Sequence, residues 1–176
     1  MTSKRRQARE LARWEAATRT WATDTARHLA LALHYERDTG SRPFRVGVVL
    51  DEGERVWVET PVCFFAGRAT TAVQAATAPP LRLPQPRPWL VTNHRIVARL
   101  EDDRLHGWRW EHMVGCRADL TPGREIVALD LDCQAPLVWA GPGVAPLAVA
   151  AVYHLHGPLA MIEHPGLAPL RVQAAF

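Results

Sequence analysis

From Lys4 to about Arg37 the chain holds neither glycine nor proline, and most residues are Ala, Arg, Leu, Glu or Thr. A run of that composition predicts one long N-terminal helix, ended by Asp38-Thr39-Gly40. Within it Leu11, Trp14, Thr18, Trp21, Thr25, His28, Ala32 and Tyr35 recur at spacings of three and four, so both tryptophans fall on one stripe. The stripe is too apolar to be left in water and must meet a sheet, a partner helix or a membrane surface. Glu10, Glu15, Asp24 and Glu36 dilute the basic face that an anionic membrane requires. Docking on its own domain or on a second chain is left. Leu11, Trp14, Trp21 and Tyr35 are the expected partner-binding residues, with self-association as the favoured use.

Beyond Pro43 the pattern changes. Short β-branched and aromatic runs, Phe44 to Leu50 and Arg55 to Thr60, flank Asp51-Glu52-Gly53-Glu54 and predict a hairpin. Ala66 to Ala78 fits helix or loop, and residues 77–88, five of them proline, read as a stiff linker without a Pro-x-x-Pro ligand pattern. Strands are then predicted at Trp89 to Thr92, Arg95 to Leu100, Arg104 to Trp110, Ile126 to Leu131 and Leu137 to Ala140, spaced as an antiparallel meander. Gly141-Pro142-Gly143 introduces a second helix, Val144 to His156, stopped by Gly157-Pro158. It is apolar nearly all round and so belongs inside, capping the sheet. Trp108 and Trp110, two apart, share a strand face opposite Arg109, which predicts that both point inward.

Length and charge narrow the function classes. At 176 residues the chain is one domain with an appendage: a helix over residues 1–40, then a β-rich unit over 43–176. It shows neither a signal peptide nor a run of about 20 uncharged apolar residues, and its three cysteines form no Cys-x-x-Cys pair, so a cytoplasmic protein without disulfides is expected. The formal charge of +3 lies entirely in residues 1–39, with eight bases against five acids, while the remainder balances at thirteen each. Lys4, Arg5, Arg6, Arg9 and Arg13 therefore carry the alternative reading, contact with nucleic acid.

No residue set makes a convincing catalytic centre. Ser3 and Ser41 are the only serines and neither lies in a Gly-x-Ser-x-Gly elbow. Cys116 has His112 four residues before it but no orienting acid or amide, and reads as a small buried residue. On a helix His154 and His156 diverge by roughly 200° and cannot bind one ion unless the helix has ended by His156, with His164 eight residues on; they read as a polar helix end. Asp130 and Asp132 alternate with leucines on a solvated strand face. Neither a metal nor a cofactor nor enzymatic activity is expected.

The segment Trp89-Leu90-Val91-Thr92-Asn93-His94-Arg95-Ile96-Val97 resembles the strand–turn–strand of bacterial pleckstrin-homology-like and GRAM-like domains. The early Gly53-Glu54-Arg55-Val56 strand entry and the run from Leu105 to Trp110 with Met113-Val114-Gly115 agree with it. The resemblance covers about residues 46 to 157. It implies an α+β fold: a small, strongly bent antiparallel β-barrel closed by a C-terminal helix, preceded here by the long first helix. It further implies a non-enzymatic binding or adaptor module acting through protein contacts. The proline-rich insertion at 77–88 and the residues after 157 depart from the family. Lipid-binding relatives carry a basic first hairpin loop, whereas Asp51-Glu52-Gly53-Glu54 is acidic, so recognition of anionic lipid is not expected.

Overall fold

The computed structural model describes residues 2–35, 48–66, 86–99, 104–132 and 134–171. The first helix, α1, runs Thr2–His34. Seven strands follow: β1 Val56–Ala66, β2 Arg87–Thr92, β3 Arg95–Arg99, β4 Leu105–Arg109, β5 Met113–Asp119, β6 Ile126–Leu131 and β7 Leu137–Ala140. Helix α2, Ala145–Glu163, and a 3-10 turn, Pro165–Leu170, complete the described chain. The fold is α+β, with all strand pairs antiparallel in the order β4-β3-β2-β1-β7-β6-β5.

Strand β1 is the hinge of this sheet. Its first part pairs with β2 from Val56 to Val62, and its last four residues pair with β7. The hand-over falls where Pro61 stands opposite Pro88, a pair with no N–H on either side to bond across the strands. Two halves of the sheet thus share one strand. Phe64, Trp89, Trp108 and Trp139, from β1, β2, β4 and β7, pack ring on ring across the join, with centroids 4.8 Å (Phe64–Trp89), 5.4 Å (Trp89–Trp139) and 5.6 Å (Trp89–Trp108) apart. Such contacts add to the area that each ring buries.

The sheet does not close into the barrel that the sequence suggested. Its two edges, β4 and β5, are consecutive in the chain and are joined only by the 3-10 turn Trp110–His112. Trp110 directs that turn inward: its indole Nε1 donates to the Thr92 carbonyl at 2.9 Å, which draws the chain out of strand geometry. Strand β4 therefore stops at Arg109, one residue before the predicted end. Trp110 is buried and Trp108 half-buried on the core side, while Arg109 faces out, as the alternation required.

Helix α2 covers the sheet, and α1 packs on α2 in turn. Every residue from Ala145 to Val152 is buried, which fits the all-round apolar reading. By length and mean hydropathy (1.3) α2 could cross a membrane, but half of that stretch is buried inside this fold. Gly157, at φ 82°, breaks α2 where a stop was predicted, yet the chain resumes helical turns to Glu163. Gly143 lets the entry of α2 lie on β1, since a Cβ there would stand 2.0 Å from the Pro61 carbonyl oxygen.

Other expectations fare unevenly. Strands β6 and β7 match the predicted bounds, whereas β5 was not predicted as a strand of its own. Val48 to Leu50 form no strand, and the rest of the supposed first hairpin arm lies outside the described residues. The hairpin partner of β1 is instead β2. The segment 67–85 also lies outside them, but Arg87 and Pro88, assigned to the linker, open β2. For Trp139→Ala, which empties a fully buried site in the aromatic cluster, a stability loss of about 3 to 5 kcal/mol is expected in urea melts. Trp108→Ala, at the half-exposed rim, should cost less.

Candidate functional site

The buried face of α1 is Thr18, Ala22, Ala26, Leu29 and Leu33, not the tryptophan stripe. Three of the five, Thr18, Ala22 and Ala26, are small, and side chains of that size let two helices approach more closely than indoles would. At 100° per residue, Trp14 and Trp21 lie about 80° round the helix from its centre. Leu11, Trp14, Trp21 and Tyr35 are 56%, 40%, 38% and 58% exposed, but Leu11 shares the angular position of the buried stripe and lies ahead of it along the helix, so the four do not make one face. From Lys4 to Trp14 every residue is exposed. The helix is about 50 Å long, and about 20 Å of it precedes its first buried residue, Thr18. Farther along, Arg19 Nε donates to Glu125 Oε1, whose other oxygen accepts the Gly123 N–H at 3.0 Å, and Arg27 Nε donates to the Leu170 carbonyl at 2.9 Å. These bonds fasten the second half of α1 to the body.

The basic residues Lys4, Arg5, Arg6, Arg9 and Arg13 all lie on the free part of α1. Arg5, Arg6, Arg9 and Arg13 fall within an arc of about 100°. Arg6 is paired with Glu10 at 2.9 Å.

The turn Thr92-Asn93-His94-Arg95, central to the family resemblance, has a structural task. Arg95 grips Glu54 through two bonds, Nε to Oε1 and Nη2 to Oε2, each 2.8 Å. Glu54 also accepts from Thr92 Oγ1 at 2.8 Å and from the Asp51 N–H at 2.7 Å. Asn93 bonds across the same gap, accepting from the Arg55 N–H at 2.6 Å and donating to the Gly53 carbonyl at 3.1 Å. Arg109 Nη2 reaches Asp51 at 2.6 Å. Asp51-Glu52-Gly53-Glu54 is thus no hairpin loop with three free carboxylates; Asp51 and Glu54 are neutralised by arginines. The acidity on which anionic lipid was set aside is thus reduced at this turn, where two arginines offset two of its three carboxylates. The ligand atoms of Asp51, Glu54 and His94 do lie within 4.8 Å of one another, but Arg95 occupies the side of Glu54 that a cation would need.

The sequence candidates for chemistry are dispersed. Burial, aided by the Asp130 charge, pushes the Cys116 thiol up to about 12, which keeps it protonated and a poor nucleophile. His112 is exposed beside Glu111 at 3.7 Å. Asp130 pairs with Arg117 at 2.8 Å. His154, read as part of a polar helix end, is instead held between the rings of Trp110 and Trp57, with centroids 4.6 and 5.1 Å away. Its neighbours in sequence, His156 and His164, stack on each other at 6.2 Å. The His164 Nδ1 accepts the Gly166 N–H at 3.2 Å.

One feature had no counterpart in the sequence reading. A cleft of about 420 Å³, lined by Gly107, Trp108, His112, Leu131, Asp132 and Gln134, opens where the end of β6 faces edge strand β4. Two stretches of the chain, 107–112 and 131–134, meet there, so only folding brings them together; the inward-facing Trp108 was the single local hint.

Comparison with family models, with curated proteins and with solved structures finds no match to this chain.

Two pH effects follow from these surroundings. Burial alone would raise the Glu54 carboxyl, but the bonds from Arg95, the Asp51 N–H and Thr92 outweigh it and hold the pKa below the ordinary value. Its stabilisation is therefore present above the unfolded value near 4.5 and is lost as the pH falls through the folded one. Glu54→Gln should cost about 2 to 4 kcal/mol at pH 7, a deficit that narrows below pH ~4 in urea melts. His154 behaves differently: burial, with His94 nearby, lowers its pKa to about 4. Stability should decline as the pH falls from 6.5 towards 4, because the unfolded chain takes up the proton first. His154→Phe, which keeps the ring stack, should flatten that decline in melts at pH 7 and 5.

Proposed function

We propose that this protein is a non-enzymatic binding module of pleckstrin-homology-like type that engages a protein partner through α1. The observation that carries the reading is the outward face of α1. Leu11, Trp14 and Trp21 stand exposed on a helix whose first turns, Lys4 to Trp14, are exposed throughout. Exposed indoles close together on one element mark contact surfaces, because a monomer pays for them in hydration. The bent antiparallel sheet with a C-terminal helix packed on it agrees with the family expectation, although its edges stay apart. The best nucleophile candidate, Cys116, sits with a raised pKa, which suits a binding role better than a catalytic one.

A second reading, contact with nucleic acid, draws on the clustered arginines of the free helix. A photoreactive residue placed at Leu11, and as control at Leu159, which is 73% exposed on α2, separates the two. Irradiation in cells should give a protein adduct from position 11 and none from position 159. A nuclease-sensitive adduct, with binding that collapses between 50 and 200 mM salt, would transfer the function to nucleic acid. No adduct at position 11 would overturn both.

A further inference from the structure

We infer that the partner of α1 is a second copy of this chain, with the two α1 helices antiparallel and Trp14 of each copy on Trp21 of the other. The inference rests on reading α1 as the binding element, and three observations carry it further.

The first is the division of the helix. Residues Lys4 to Trp14 are all exposed and none of the described residues buries them, whereas the stretch from Thr18 to Leu33 is held on α2. In proteins most helical stability comes from packing of an apolar face, which the described residues do not give to this run. Antiparallel pairing lays each free half along the anchored half of its partner, where a rigid surface is ready.

The second is the register. Trp14 and Trp21 are seven residues apart, two helical turns, and lie on the same side of α1. A two-fold axis near residues 17 and 18 places each indole opposite the other residue of the partner. The same axis brings Arg13 close to Asp24 of the other copy. Both residues flank the tryptophan stripe on one side, and in antiparallel helix pairs like flanks meet. A parallel pair would instead set each flank against the opposite flank of the partner, so that Arg13 and Asp24 would not meet. Among the described residues Asp24 has only a 3.5 Å contact to Arg27, and its side chain is 59% exposed, which suits this role.

The third is size. A strip about 50 Å long and about 10 Å wide removes about 500 Å² per copy, or about 1,000 Å² in total, which is the lower edge for a specific interface. The association is accordingly of micromolar strength.

The test is light scattering and sedimentation on the full chain at about 1 to 100 µM. A concentration-dependent dimer is expected. Trp14→Ala and Trp21→Ala should each weaken it by about thirtyfold, with thermal melts showing that the body is intact. Arg13→Asp and Asp24→Arg should each weaken it about tenfold, since symmetry turns both ion pairs repulsive. An equimolar mixture of these two variants should dimerise like the unaltered chain, because each repels itself and attracts the other. A chain that stays monomeric at about 100 µM overturns the inference, as does a dimer insensitive to the four substitutions or a mixture that fails to recover. The adduct at position 11 distinguishes this from failure of the wider reading: an adduct only to another protein ends the dimer and leaves the binding module standing.

Discussion

Helix α2 has no side that can face water along Ala145 to Val152, and most of the architecture answers that constraint. One flank meets the sheet; the other needs a second cover, which α1 supplies with a face of small residues. Each buried apolar side chain contributes about 1 to 3 kcal/mol relative to exposure, so leaving α2 half-covered would outweigh any single polar contact in the molecule. Covering α2 uses only the second half of α1. The first half, and the tryptophans turned away from α2, are left over, and the proposed function lies in that surplus.

The sheet is organised by a different interaction. Glu54 is buried and would be costly without partners, yet it is bonded by Arg95, Thr92 and a backbone amide. A buried carboxylate satisfied this fully fixes geometry more than it adds stability. It pins the turn ahead of β1 to the β2–β3 turn, and with Asn93 it sets where β1 begins. Since β1 serves both halves of the sheet, its starting point governs the register of both. The aromatic cluster then fills the join between them.

The same packing explains the open edge. Trp110 is anchored by Thr92 on one side and stacks on His154 of α2 on the other. The chain after β4 is thereby pulled under the sheet's end instead of continuing along its edge. At β5 the 3-10 turn that follows α2 comes in so closely that a Cβ on Gly166 would stand 2.0 Å from the Ala118 carbonyl oxygen. One edge is covered, the other borders the cleft, and closure is prevented by packing.

Local patterns determined the two helices, five strand positions and the burial of α2, because helix propensity, alternation and turn residues act over a few neighbours. Leu11, Trp14, Trp21 and Tyr35 were legible as apolar residues at helical spacing, but not as residues left exposed by the fold. Which face of α1 would be buried was not, since a wide stripe of tryptophans and a narrow one of alanines both satisfy the period. The choice came from how near α1 must lie to α2. Nor could the sequence show that Glu54 is neutralised: Arg95 is forty-one residues away, and an acidic turn reads as solvated until its partner is placed. Tertiary structure alone decided the buried ion pair, the setting of His154 between two indoles, and the open edge, because each depends on segments meeting that share no local sequence signal.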